Sequence, residues 1–76
     1  MKEILETIIE SLISDKASAT VTEIASEKEI KYEVRVTAGD MGRVIGKNGK
    51  IAKSIRTLMR AVASKENKKI VIEFVD

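Results

Sequence analysis

The chain has 76 residues, 43% of them apolar and 34% charged. That balance describes one small, well-solvated globular domain over residues 1–76, and neither a disordered tail nor a membrane segment. Cysteine and histidine are both absent, which excludes disulfides, a thiolate nucleophile and Cys-type zinc sites and removes the commonest general base and metal ligand. The net charge of +2 hides an asymmetry: residues 1–40 hold five basic and nine acidic groups, whereas residues 41–69 hold nine basic groups against Glu66 alone.

Along the chain, Met1, Lys2 and Glu3 lead directly into an amphipathic stretch with no secretory leader pattern, so a cytoplasmic location is expected. Ile4, Leu5, Ile8, Ile9, Leu12 and Ile13 recur at helical spacing opposite Glu3, Glu6 and Glu10, and predict a helix over residues 2–14. Thr20 to Ala25, rich in threonine and branched side chains, reads as a short strand. After the polar link 26–29, Ile30, Tyr32, Val34 and Val36 alternate with Lys31, Glu33, Arg35 and Thr37. That pattern is a half-buried strand, and the short link makes it the antiparallel partner of the strand before it.

Ala38, Gly39 and Asp40 break the strand, with Asp40 suited to cap a helix of little more than one turn through Met41, Gly42, Arg43, Val44 and Ile45. Helix packing is the expected reason for Gly42. Gly46 to Gly49 interrupts, and a second helical pattern runs from Lys50 to about Ser64. Its apolar arc is Ile51, Ile55, Leu58, Met59 and Val62, and its opposite arc carries Lys50, Lys53, Arg56 and Arg60. Ile70, Ile72 and Phe74 then alternate with Lys69, Val71, Glu73 and Val75 in a last strand. The order is α-β-β-α-α-β, an α+β class.

Within this frame the stretch GRVIGKNGKIAKSIR, residues 42–56, puts three glycines and five cations into fifteen positions. Gly46-Lys47-Asn48-Gly49 between two helices permits positive φ and close backbone approach, and Asn48 tolerates the same geometry. A helix starting near Lys50 would point its free first-turn amides outward there, beside Lys47 and Lys50, where they attract phosphate. Two other phosphate loops do not fit. A Walker loop needs GxxxxGK followed by Ser or Thr, but Lys47 is followed by Asn48, and the Rossmann pattern needs two glycines one residue apart. Near-absence of acids in the basic segment favours an anion-facing surface, most often for nucleic acid, over a solvated helix face.

The run VIGKNGKIAKSI, with its GxxG between two helices, resembles the K homology (KH) domain, and GxxG after two strands with a C-terminal strand is similar to its type II topology. More narrowly, DMGRVIGKNGKIAKSIRTLMRAVASKENKKIVIEFVD resembles the small bacterial single-KH RNA-binding proteins of the KhpA type. One departure stands out: the broad KH pattern prefers a large aliphatic residue where this chain has Ala52, with Ile51 one place earlier.

The resemblance implies a three-stranded sheet with helices packed on one face. It also implies a GxxG loop that clamps about four nucleotides of single-stranded RNA or DNA. On this chain Gly46, Lys47, Asn48 and Gly49 would hold phosphates, supported by Arg43, Lys50 and Lys53, with Arg56 and Arg60 further along the helix. Val44, Ile45, Ile51 and the strand edge at Val34 to Val36 would form an apolar groove under the bases. Tyr32 and Phe74, the only aromatics, sit on strand faces that read as core, so aromatic stacking platforms are not expected and base discrimination would be modest.

The family further implies RNA chaperoning, roles in cell elongation and cell-wall homeostasis, homodimers, and a heterodimeric partnership with a second, Jag-like KH protein of the KhpB type. An interaction module is therefore the alternative to an RNA binder, with Val71 and Val75 on the outer strand face as its candidate contacts. An enzyme is the weakest reading, because no nucleophile has a base beside it. Neither a cofactor nor a metal is expected.

Overall fold

Among the described residues six regular elements form in the order that the apolar periodicity predicts, though the helix expected through Met41 to Ile45 begins three residues earlier, at Ala38, and runs for eight residues. The computed structural model describes residues 1–75; Asp76, the last residue of the expected domain, lies outside the described residues. In chain order the elements are α1 (Lys2–Leu12), β1 (Thr20–Ala25), β2 (Glu29–Arg35), α2 (Ala38–Ile45), α3 (Lys50–Val62) and β3 (Lys69–Val75). Single 3-10 turns occupy Lys16–Ser18, Lys47–Gly49 and Ser64–Glu66. The sheet order is β1-β2-β3, with β1 antiparallel to β2 and β3 parallel to it. A parallel return needs a crossover, and α2 with α3 supplies it.

Alternation on β2 decides which face is covered. Ile30, Tyr32 and Val34, together with Val36 just beyond the strand, are buried, while Lys31 and Glu33 are half-buried and Arg35 is exposed. The helices therefore pack on one face. Leu5 and Ile9 of α1, Val44 of α2 and Ile55 and Met59 of α3 join Ile70 and Ile72 of β3 in the same core. On the open face Glu33 and Glu73 lie opposite each other in register, and Lys31 bridges both at 3.7 and 3.4 Å. Such exposed pairs offset like-charge repulsion more than they stabilise the sheet.

Three expectations are corrected by local chemistry. The first helix stops at Leu12, short of the expected Ser14, because Ile13 turns extended and the amides of Ser14 and Asp15 donate to Asp40 Oδ1 and Oδ2, both at 3.0 Å. Asp40 is not the cap of α2. Thr37 is, its Oγ1 accepting the Asp40 amide at 3.3 Å, while Asp40 lies in the first turn with its carboxylate buried. Gly42 is not explained by packing either, since a Cβ there would meet nothing within 4 Å.

Asp40 thus ties α2 to the segment after α1. Thr37 Oγ1 at 3.3 Å and Arg43 Nη1 at 2.9 Å complete its shell, and Arg43 Nη1 also reaches Ser14 Oγ. The Asp15 and Ser14 amides, outweighing burial and helped by Arg43, hold the carboxyl down from 3.8 to about 2. A depressed carboxylate contributes stability that is complete above its unfolded value and is lost as pH falls through the folded one. Thermal melts of the wild type should therefore lose stability between about pH 4 and about pH 2. Asp40→Asn should melt lower at pH 7 and show a flatter acid limb; a parallel acid limb would contradict the assignment.

Candidate nucleic-acid interface

The turn from α2 into α3 is built on three departures from ordinary backbone. Gly46 has φ 78° and ψ 174°, Asn48 φ 58° and ψ 24°, and Gly49 φ 75° and ψ 13°. The Gly46 conformation is one that essentially only glycine adopts. A Cβ on Gly46 would also sit 2.6 Å from Ile51 Cγ1, so the backbone here lies directly on the Ile51 side chain. Gly49 differs: its φ demands glycine, but the space around it is open. Asn48 tolerates the left-handed region better than most residues.

Those dihedrals swing the chain outward and leave Lys47 and Asn48 exposed at the tip. The Gly46 amide donates to Gly42 O at 2.9 Å, the Gly49 amide to Gly46 O at 3.2 Å, and the Lys50 amide to Lys47 O. Among the described residues no side chain caps the start of α3. A helix start without a side-chain cap carries about half a unit of positive charge. Lys47, Lys50 and Lys53 surround it, all exposed and none in an ion pair among the described residues. The arrangement can hold an anion by main-chain amides and flexible cations together.

Several expected site residues lie elsewhere. Arg43 is engaged by Asp40 and Ser14 and serves the fold. Val44 and Val36 are inside the core at 0% and 3% exposure, so neither is a groove wall; strand alternation and a short amphipathic helix place them there. Ile45 and Ile51 are half-buried, and Ile51 supports Gly46 from beneath while lining a cleft with Ile8, Leu12 and Leu58. Ala52, at the position where a larger aliphatic was expected, is buried against the core.

The four-cation arc on α3 is also divided. Arg56 turns toward β3, its Nε and Nη2 donating to Ile72 O at 3.3 and 3.2 Å with its guanidinium 5.4 Å from the Phe74 ring centre. It caps a carbonyl of β3, which is an edge strand among the described residues. Arg60 remains exposed. Tyr32 is fully buried, and burial, then the Glu23 carboxylate opposite it, raises its phenol pKa; Phe74 is half-buried under Arg56. Neither ring forms a stacking platform.

One feature lay outside the sequence reading. Leu58 and Val62, assigned to the buried arc of α3, are 48% and 38% exposed, and Ile4 of α1 is 43% exposed. The core keeps Ile55 and Met59 of that arc and takes Ala52 and Ala63 in place of Leu58 and Val62, so the apolar arc is wider than the surface it covers. A cleft of about 360 Å³ between α1 and α3 results, lined by Ile8, Leu12, Ile51 and Leu58. The width of that arc was the available signal.

Comparison with known proteins gives a consistent result. The family model described as KhpA/KhpB, KH domain, matches residues 2–74. A protein named RNA-binding protein KhpA from Clostridium acetobutylicum is 48% identical over 75 residues, covering 99% of this chain and 100% of the relative. The protein of that name from Clostridium perfringens is also 48% identical with the same coverage. The one from Aquifex aeolicus is 38% identical over 76 residues, 100% of this chain and 96% of the relative. No solved structure gives a significant match.

The two loop glycines should respond differently to alanine. Gly46→Ala combines forbidden dihedrals with overlap on Ile51 and should cost about 3 kcal/mol. Gly49→Ala meets only the left-handed penalty, about 1–2 kcal/mol. Urea titration of both variants checks the order, and equal losses would contradict the close approach at Gly46.

Proposed function

The chain belongs to the KhpA/KhpB KH-domain family, and from that premise we propose that it binds single-stranded RNA through the Gly46–Gly49 loop, clamping about four nucleotides. The observation that carries this reading is the uncapped start of α3, presented by the glycine turn beside three cations that make no ion pair among the described residues. Names of the relatives supply the ligand class, RNA. Phosphates sit on the amides around Lys47 and Asn48, and Lys50 and Lys53 neutralise their neighbours. Because no aromatic ring is offered to the bases, sequence preference is modest, and single-stranded DNA is a second candidate ligand of the same loop. An RNA chaperone, which must hold and release many sequences, suits such a surface.

A second reading concerns assembly. The cleft between α1 and α3 and the exposed Ile4, Leu58 and Val62 favour pairing with another KH chain through the helical layer. Val71 and Val75, the contacts suggested by strand alternation, are both half-buried and flank the Glu73 side chain in a charged row. The helical face is the better candidate. It lies beside the loop through Ile51, so RNA binding and pairing can coexist.

Three measurements separate these readings. Replacing Lys47 and Asn48 by aspartate adds negative charge at the tip, where Asp tolerates the backbone of Asn48. That variant should stay folded and lose RNA binding at least tenfold; unchanged binding would overturn the site. In the wild type, three to four neutralised phosphates predict that log K falls by roughly 2–3 per tenfold rise in salt. Light scattering should show concentration-dependent dimers that Leu58→Glu converts to monomers without loss of RNA binding. A wild type that stays monomeric at every concentration would remove the second reading.

A further inference from the structure

Beyond the loop, α3 carries a route to a separate basic recess. A concavity of about 350 Å³ opens where α3 ends and β3 begins, with Arg60, Lys68, Lys69, Ser64 and Asn67 around it and the buried Ala63 and Ile70 in its wall. Asn67, at φ 53°, reverses the chain and thereby sets Lys68 and Lys69 across from Arg60. No acidic side chain lines the recess, and none of its three cations is in an ion pair among the described residues. The end of α3 explains part of this, since its carbonyls carry about half a negative charge that attracts a cation. Half a charge does not account for three cations brought to one concave surface.

The route to the recess follows from the faces of α3. A polyanion anchored at the start of α3 has two ways to continue along the helix. One side presents Ile51, Leu58 and Val62; the other presents Lys53 and Arg60, which are seven residues apart and so share a face. Charge selects the second. Lys50 and Arg60 are separated by about 15 Å of helix axis, and stacked nucleotides rise about 3.4 Å each, so roughly four to five nucleotides span the distance.

We propose that this recess is a second phosphate subsite, occupied by the backbone of the same RNA strand about four to five nucleotides from the loop. Arg60, Lys68 and Lys69 receive two adjacent phosphates, Ser64 and Asn67 offer hydrogen bonds, and the apolar wall accommodates a sugar or base. The proposal rests on RNA binding at the Gly46–Gly49 loop, and it makes the full footprint longer than that loop alone can hold.

The test compares oligouridylates of four and ten nucleotides on the wild type and on the double variant Arg60→Gln/Lys69→Gln, both substitutions at exposed positions. A thermal melt confirms that the variant is folded; Lys68→Gln serves in its place if it is not. For the wild type, the salt slope of the ten-nucleotide oligomer should exceed that of the four-nucleotide one by about 1–2, the contribution of two further phosphates at roughly 0.7 each. The variant should bind the longer oligomer about tenfold more weakly, with a slope reduced to that of the shorter one, and should bind the shorter one as the wild type does. Equal slopes for both lengths in the wild type, or an undiminished affinity of the folded variant for the longer oligomer, would overturn the subsite. Amide shifts at Lys68 and Lys69 produced by uridine monophosphate but not by the longer oligomer would also overturn it, in favour of a free-nucleotide site. Failure of the four-nucleotide oligomer to bind the wild type would instead count against the loop itself.

Discussion

The passage of the Gly46 backbone over the Ile51 side chain is the constraint on which the arrangement of the second half of the chain depends. With hydrogen in place of Cβ, α2 can end and α3 begin within four residues, and the two helices fill the crossover between the parallel strands β2 and β3. A bulkier residue would push the turn away from Ile51, moving the start of α3 and the amides it exposes. Fold and site are thus joined at one atom-sized gap.

A second anchor fixes the other end of α2. Asp40 collects two amides from the segment after α1, the Thr37 hydroxyl and the Arg43 guanidinium, so α2 is pinned at its start by charge-assisted bonds and at its end by the glycine turn. Arg56 does comparable work at the sheet margin by covering the Ile72 carbonyl. Two of the nine cations in the basic segment therefore serve the fold. Of those left exposed, Lys47, Lys50 and Lys53 stand at the loop, Arg60 and Lys69 at the far end of α3, and Lys65 in the turn between α3 and β3.

Much of this was legible in the residues. Strand alternation from Ile30 to Val36 identified the buried face of β2, threonine and branched residues marked β1 to its limits, and the order of elements followed from periodicity alone. The turn at Gly46–Gly49 was readable because positive φ restricts residue choice so strongly. What escaped was set by partners distant in sequence. Ile13 continues the helical pattern of α1, yet Asp40, more than twenty residues away, captures the next amides and ends the helix. Thr37 followed three residues later by an acid was a visible capping signal that the nearby Asp40 obscured. Val36 and Val44 read equally well as core or groove, because periodicity gives a face and not what covers it. Leu58 and Val62 show the converse, apolar side chains on an arc that the small core does not reach.

The most direct test of the central claim is a titration of the isotopically labelled protein with a single-stranded tetranucleotide RNA at low ionic strength, followed through its amide resonances. The account predicts that Lys47, Asn48, Gly49 and Lys50 shift first and furthest, with the α1 and β1 amides unaffected. Binding that leaves those four resonances in place would contradict it.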